Sequence, residues 1–342
     1  LAKEVTIQDI AKKLNLTTAT VSRALNNHPR ISEKTKQAVK ELAEKLNYRR
    51  NRIASSLRSG KTYIIGVVIP SVDVNFFGSV VHGIESLANE YGYNVIIYQT
   101  NETEKFEKKG IETFLSTKVD GVLASIAKNT EDFAHFIEVK NSGLPLVFFD
   151  RVNDALNIPS VVIDDYKGAY YATEHLIQQG YKRIAHVSGP PHLKIVSDRL
   201  QGYKAALKQH NIAFDKQLVF VGDVSVEAGK KAVDYYFNLP HPPDAVFAVE
   251  DFTALGVLKA IKLQKLRVPQ EFGVIGFANE GFGEHITPSL STVDQQSIEM
   301  GKEAFKLLIE LIEEKGTKKQ TKSKVVLEPV LIYRQSSLRK KS

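Results

Sequence analysis

The chain has 342 residues, 43% of them hydrophobic and 25% charged, ordinary proportions for a globular protein with room for two or three domains. It contains no cysteine, which excludes a disulfide scaffold, thiolate zinc sites and cysteine nucleophiles, and no apolar run reaches the roughly 18 residues that suggest a membrane span. The net charge of +7 is unevenly placed: residues 1–61 carry 14 Lys and Arg against 5 Asp and Glu, whereas the remainder carries 32 against 34.

The first elements fall inside that basic segment. Thr6, with Asp9 three residues on, has the form of a capping box, and Ile7, Ile10, Ala11 and Leu14 are spaced as one apolar helix face. Asn15 tolerates the left-handed conformation of a tight turn, and Thr17 is placed to cap a second helix with Val21, Ala24 and Leu25 inward. Ser32 opens a third helix that buries Val39, Leu42, Ala43 and Leu46. Three short helices, the first two joined by a tight turn, predict a helix-turn-helix domain over residues 1–48.

Thr17, Thr18, Ala19, Thr20, Ser22 and Arg23 then belong to the opposite face and the leading end of the second helix. Hydroxyls and helix-end amides bond phosphate oxygens, an Arg fork reads guanine, and small side chains allow close approach to a major groove. A Thr/Ser-rich helix start is by itself often only a capped, solvated turn. The three-helix spacing and the local charge favour double-stranded DNA as partner, since cations gain free energy by releasing counterions from a polyanion.

Residues 49–61, RRNRIASSLRSGK, admit two readings. One is a flexible basic linker. The other is a short hinge helix in the minor groove, with Leu57 as an apolar wedge and Arg52 and Arg58 near phosphates. From Ile64 onward, apolar runs (IIGVVIP, NVIIY, GVLA, PLVFF, SVVI, RIAHVS, LVFV, DAVFAV, GVIGF) alternate mostly with helical segments of 12–20 residues. This pattern predicts parallel sheets covered on both faces, arranged as two doubly wound lobes with a ligand cleft at the strands' carboxyl ends.

The motifs VTIQDIAKKLNLTTATVSRALNNHPRISEKTKQAV, LNYRRNRIASSLRSGK, VDGVLA, DRLQGYKAAL, DAVFAVEDFTALGVLKAI and TPSLSTVDQ together resemble the lactose-repressor (LacI/GalR) family along almost the whole chain. The resemblance implies a dimer on operator DNA, with Thr6, Thr18, Ala19 and Arg23 at the DNA, Asn51 and Arg52 in the hinge, and Leu57 as the wedge. It also implies a periplasmic-binding-protein-like core that binds a small effector between lobes crossed three times by the chain. The lobes are expected at about 62–162 with 292–325, and 163–291 with 326–342. Asp150 and Arg199 stand where relatives contact effector; Asp73, Phe77, Asp165, His192 and Asn279 are further candidates. Three pocket positions depart from the family pattern: an Asn is Glu250, an Asp is Ala278, and an aromatic stacking position is Val224. Outside the pocket, Arg50 replaces the usual hinge proline and Asn15 the turn glycine. Glu250 is expected either to take over hydroxyl recognition or to pair with Arg199; from helical periodicity alone Arg199 could equally be a surface arginine, and His192 a loop histidine facing solvent.

Two other functional classes compete. An enzyme on this fold would be expected to carry a recognised motif, yet G-x-G-x-x-G after a strand, a Walker loop, G-x-S-x-G and H-E-x-x-H are all missing, and the nine histidines lack ligand spacing. A solute-binding protein would have no use for residues 1–61. The expectation is therefore a cytoplasmic, homodimeric repressor without metal or cofactor, governed by a sugar or sugar derivative.

Overall fold

The structure, a computed structural model, describes residues 5–48, 60–314 and 323–339. The proposed hinge positions Asn51, Arg52 and Leu57 lie outside the described residues. The chain divides into two compact units, Leu1–Thr62 and Tyr63–Ser342.

In the first unit, α1 (Ile7–Lys13), α2 (Thr18–Leu25) and α3 (Glu33–Lys45) surround Ile10, Ala11, Val21, Ala24, Val39 and Ala43. Each helix start is held by the residue the sequence nominates. The Asp9 carboxylate accepts from the Thr6 amide at 2.8 Å, Thr17 Oγ1 accepts from the Thr20 amide at 3.1 Å, and Ser32 Oγ from the Thr35 amide at 3.3 Å. Asn15 has φ +52°, so the turn between α1 and α2 uses the left-handed region that Asn enters at low cost. Such caps matter because helices of seven and eight residues are too short to persist without packing.

In the second unit, six parallel strands form one sheet in the order β11-β5-β4-β3-β1-β2: β1 (Ile64–Ile69), β2 (Asn94–Gln99), β3 (Gly121–Ala124), β4 (Leu146–Phe149), β5 (Ser160–Ile163) and β11 (Lys324–Leu327). A second parallel sheet has the order β7-β6-β8-β9, from β6 (Ile184–Ser188), β7 (Val219–Val221), β8 (Ala245–Ala248) and β9 (Gly273–Ile275). An antiparallel ribbon pairs β10 (Thr292–Asp294) with β12 (Val330–Ile332). The chain passes between the sheets after β5, after β10 and after β11, with β11 extending to Leu327 in the first sheet. β1, β3, β4, β5, β6, β8 and β9 are buried almost throughout, as apolar strands covered on both faces must be.

The covering helices are α4 (Asn75–Glu90), α5 (Glu104–Thr117), α6 (Ala134–Asn141) and α11 (Ser297–Glu313) on the first sheet, and α7 (Asp165–Gln178), α8 (Lys194–Gln209), α9 (Val226–Phe237) and α10 (Asp251–Leu263) on the second. α4 and α11 touch backbone to backbone. A Cβ on Gly83 would lie 2.1 Å from the Ile298 carbonyl oxygen, and one on Gly301 2.0 Å from that of Val80. Only glycine lets these helices meet so closely.

Candidate functional site

Two surfaces carry the functional candidates. On the first unit, Thr6, Thr17, Thr18, Ala19 and Arg23 are exposed and Thr20 and Ser22 half-buried, while Val21 and Ala24 of the same helix are fully buried. The hydroxyls are not equivalent. Thr6 Oγ1 donates to Asp9 at 2.7 Å, and Thr17 Oγ1 both caps α2 and lies 2.9 Å from Thr20 Oγ1, so these side chains are held in place by local bonds. The Arg23 guanidinium has no ion-pair partner among the described residues, which leaves its planar donor fork available to an external acceptor.

The second surface is a cavity of about 150 Å³ between the two sheets. Its lining comes from the segments that leave the strands' carboxyl ends: Val74, Phe76 and Phe77 after β1, Glu102 after β2, Lys128 after β3, Asp150 and Arg151 after β4, Leu193, Ile195 and Val196 after β6, Val224 after β7, Val249, Glu250 and Phe252 after β8, and Ala278 and Glu280 after β9. Arg199 and Gln295 complete it. The expected crevice of a doubly wound fold is thus built from both lobes. Asp150 (φ +59°) and Val224 (φ +60°) are held in the left-handed region, which for β-branched Val224 is a strained conformation.

Of the sequence candidates, Phe77, Asp150, Arg199 and Glu250 line this cavity, whereas Asp73, Asp165, His192 and Asn279 do not. Asp73 is exposed just before the lining segment, its amide bonded to Ser71. Asp165 sits behind Arg199. Asn279 is taken up by Thr292, Asp294 and Arg334, which bond its amide, its side-chain nitrogen and its side-chain oxygen. His192 Nε2 lies 2.7 Å from the Lys128 carbonyl oxygen, bridging the lobes beside a neighbouring cavity of about 600 Å³.

Arg199 is only 3% exposed, so it is neither a surface arginine nor the partner of Glu250. Its Nε donates to Asp165 Oδ1 at 2.8 Å, Nη2 lies 2.7 Å from the same oxygen, Nη1 donates to the Val249 carbonyl at 2.6 Å, and the guanidinium stacks 3.7 Å from the Phe277 ring centre. Burial pushes Asp165 up to about 6, a rise that the adjacent Arg199 charge opposes. Glu250 instead caps α10: its Oε2 accepts from the Phe252 amide at 2.8 Å and the Thr253 amide at 3.3 Å. Its Oε1 is buried and meets no hydrogen-bond partner among the described residues. Burial raises the Glu250 carboxyl to about 8, with the neighbouring Asp251 and Glu280 charges pushing the same way and its amide bonds opposing.

Four charged lining residues are not among the sequence candidates: Glu102, Lys128, Arg151 and Glu280. Arg151 Nη1 reaches both oxygens of Glu102, at 2.9 and 2.7 Å. Glu280 accepts from the Phe76 amide at 3.2 Å, so a carboxylate of one lobe bonds the first turn of α4 in the other, a helix whose own N-cap, Val74, offers no side-chain acceptor. The signal was present for Arg151, which follows Asp150 directly after β4. Nothing in the local pattern distinguishes Glu280 from a loop residue.

The comparisons with known proteins cover both units. Residues 6–51 match the model of bacterial regulatory proteins of the lacI family, and residues 62–336 that of periplasmic binding proteins and the sugar binding domain of the LacI family. The HTH-type transcriptional repressor CytR of Escherichia coli K12 is 34% identical over 305 residues, 89% of each chain. Catabolite control protein A of Priestia megaterium is 33% identical over 305 residues, 89% of this chain and 91% of its own. Among solved structures, a lac repressor dimer bound to operator and an anti-inducer superimposes with a TM-score of 0.86 at 26% identity, covering 98% of this chain and all of the other. Among the described residues no helix is long and apolar enough to cross a membrane, and no cluster of three or more His, Asp and Glu is arranged to hold a metal ion. With a regulatory helix-turn-helix unit in front and a two-lobed binding core behind it, both matched by their own family models, the chain belongs to the LacI family of bacterial regulatory proteins.

Proposed function

We propose that the protein is a sequence-specific DNA-binding transcriptional repressor of the cytoplasm, acting as a homodimer on operator DNA and controlled by a small, hydroxyl-rich metabolite in the inter-lobe cavity. The observation that carries the reading is the division of α2 into a buried face, Val21 and Ala24, and an exposed face, Thr18, Ala19 and Arg23, whose arginine fork has no partner among the described residues. Arg23 then reads a base edge, and the hydroxyls and amide ends set the register on phosphates. Thr6, Asn51 and Arg52 are assigned to backbone contacts and Leu57 to the minor groove. The repressor names of the relatives and the operator-bound dimer among the similar structures support the regulatory reading over a bare solute-binding protein or an enzyme.

In the cavity, Asp150 and Glu250 supply acceptors for hydroxyls, Phe77 and Phe252 supply apolar walls, and Arg199 fixes the pocket floor while one Nη1 hydrogen remains for a ligand oxygen. Selection of bound duplexes from a random library tests the reading. It should enrich one inverted repeat, as a two-fold dimer requires. Recovery of sequences with no shared motif would remove it.

A further inference from the structure

The cavity holds more acidic than basic groups, an excess that bears on the class of ligand. Four carboxyl groups line it, Glu102, Asp150, Glu250 and Glu280, against three cations, Lys128, Arg151 and Arg199. Both arginines are already neutralised by partners, Arg151 by Glu102 at 2.7 Å and Arg199 by Asp165 at 2.7 Å. Asp150 keeps only the far side of Arg151, Glu250 and Glu280 have no ion-pair partner among the described residues, and Lys128 is the lining cation without one there. Asp150 receives only a long bond from Ser125 at 3.3 Å and a marginal approach of Arg151 Nε at 3.9 Å. The Glu250 Oε1 has no hydrogen-bond partner among the described residues, although it is buried and belongs to a lining residue.

We infer that the cavity takes a polyol bearing a positively charged nitrogen, an amino sugar or similar amino polyol, with its ammonium set against Glu250 Oε1 and its hydroxyls on Asp150. The inference rests on the cavity reading given above and narrows its chemistry. A buried carboxyl oxygen without a donor carries a desolvation cost, and a ligand ammonium, with three donors and opposite charge, removes it. A ligand carboxylate or phosphate would set a further acidic group among these carboxyls, and of the lining cations only Lys128 lacks an ion-pair partner among the described residues. A neutral sugar would satisfy the acceptors but bring no charge to draw the carboxyls into their ionised form.

The protonation of these groups supports the same assignment. Burial raises Asp150, Glu250 and Glu280 alike, Glu250 to about 8, so in the free site the Glu250 carboxyl keeps its proton at neutrality. An arriving ammonium favours the ionised carboxylate and expels that proton.

Calorimetry on the full chain decides the matter, with D-glucose, D-glucosamine and D-glucuronate and the matching galactose set as probes. It is run at about pH 6.5, where an amino sugar is charged, in two buffers of different ionisation enthalpy. The amino member of one set should bind at least tenfold more tightly than its neutral and acidic counterparts and release protons. Glu250→Gln, which keeps an oxygen to cap α10, should abolish both the preference and the release; Glu280→Gln should weaken both and serves if the first variant fails to fold. Tighter binding of the neutral or acidic member, or amino-sugar binding without proton release, would overturn the inference and leave the hydroxyl-rich ligand reading intact. Binding by none of the six would contradict that reading as well, while leaving the DNA-binding assignment untouched.

Discussion

Arg199 shows how far a residue's role depends on what surrounds it. Helical periodicity alone leaves it open as a surface or a pocket arginine, and the fold buries it on Asp165, Val249, Gln295 and Phe277. Arg199→Ala would strand a buried Asp165 carboxylate, and removal of one partner from a buried pair costs about 3–5 kcal/mol. Urea denaturation should show a loss of that order; unchanged stability would mean that the pair is not what holds the pocket floor. Glu250 makes the opposite kind of prediction. Its carboxyl is raised by burial from 4.5 to about 8, so the folded protein binds more protons than the unfolded chain between those values. Stability from this group is present below about 4.5 and is lost as pH rises through about 8. Glu250→Gln should therefore gain on the wild type as pH climbs across that window. A difference in unfolding free energy that is flat with pH would contradict the buried environment assigned to Glu250.

At the level of elements, two arrangements carry consequences. The α4–α11 contact depends on Gly83 and Gly301, where added side-chain atoms would meet opposing backbone oxygens at 2.1 and 2.0 Å. Gly301→Ala should push the helices apart and cost about 1–3 kcal/mol of core stability, the usual range for overpacking, read by urea unfolding. An unaffected midpoint would mean that the contact opens without penalty. The lobes are also tied across the cleft by Glu280 to the Phe76 amide and by His192 to the Lys128 carbonyl. Replacing both side chains by alanine should expand the ligand-free core, detected as a larger radius of gyration in solution scattering. Identical scattering would show that these bonds do not set the closed state.

For the molecule as a whole, the sequence was most informative where periodicity and chain chemistry agree. The nine apolar runs from IIGVVIP to GVIGF all fall on strands β1 to β9, and Thr6, Thr17 and Ser32 mark helix starts, because buried parallel strands and N-caps have short-range signatures. β10, β11 and β12 were not singled out. They are strands of three or four residues, and β11 and β12 expose about half of theirs, so their pairing is set by distant partners such as Ser160–Ile163 and Thr292–Asp294. The pocket was legible in part for the same reason. Asp150 and Glu250 lie within two residues of a strand end, whereas Glu280 and Lys128 reach the cavity through loop geometry that no local pattern encodes.

The claim on which the rest depends is that α2 reads DNA sequence through Arg23. The measurement is the affinity of wild-type and Arg23→Ala protein, by fluorescence anisotropy at one salt concentration, for the selected inverted repeat and for a scrambled duplex. Loss of one base-reading fork per half-site should cost about 1–3 kcal/mol on the selected sequence and far less on the scrambled one, so that discrimination between the two falls. Equal weakening on both duplexes would make Arg23 a phosphate contact and contradict the account.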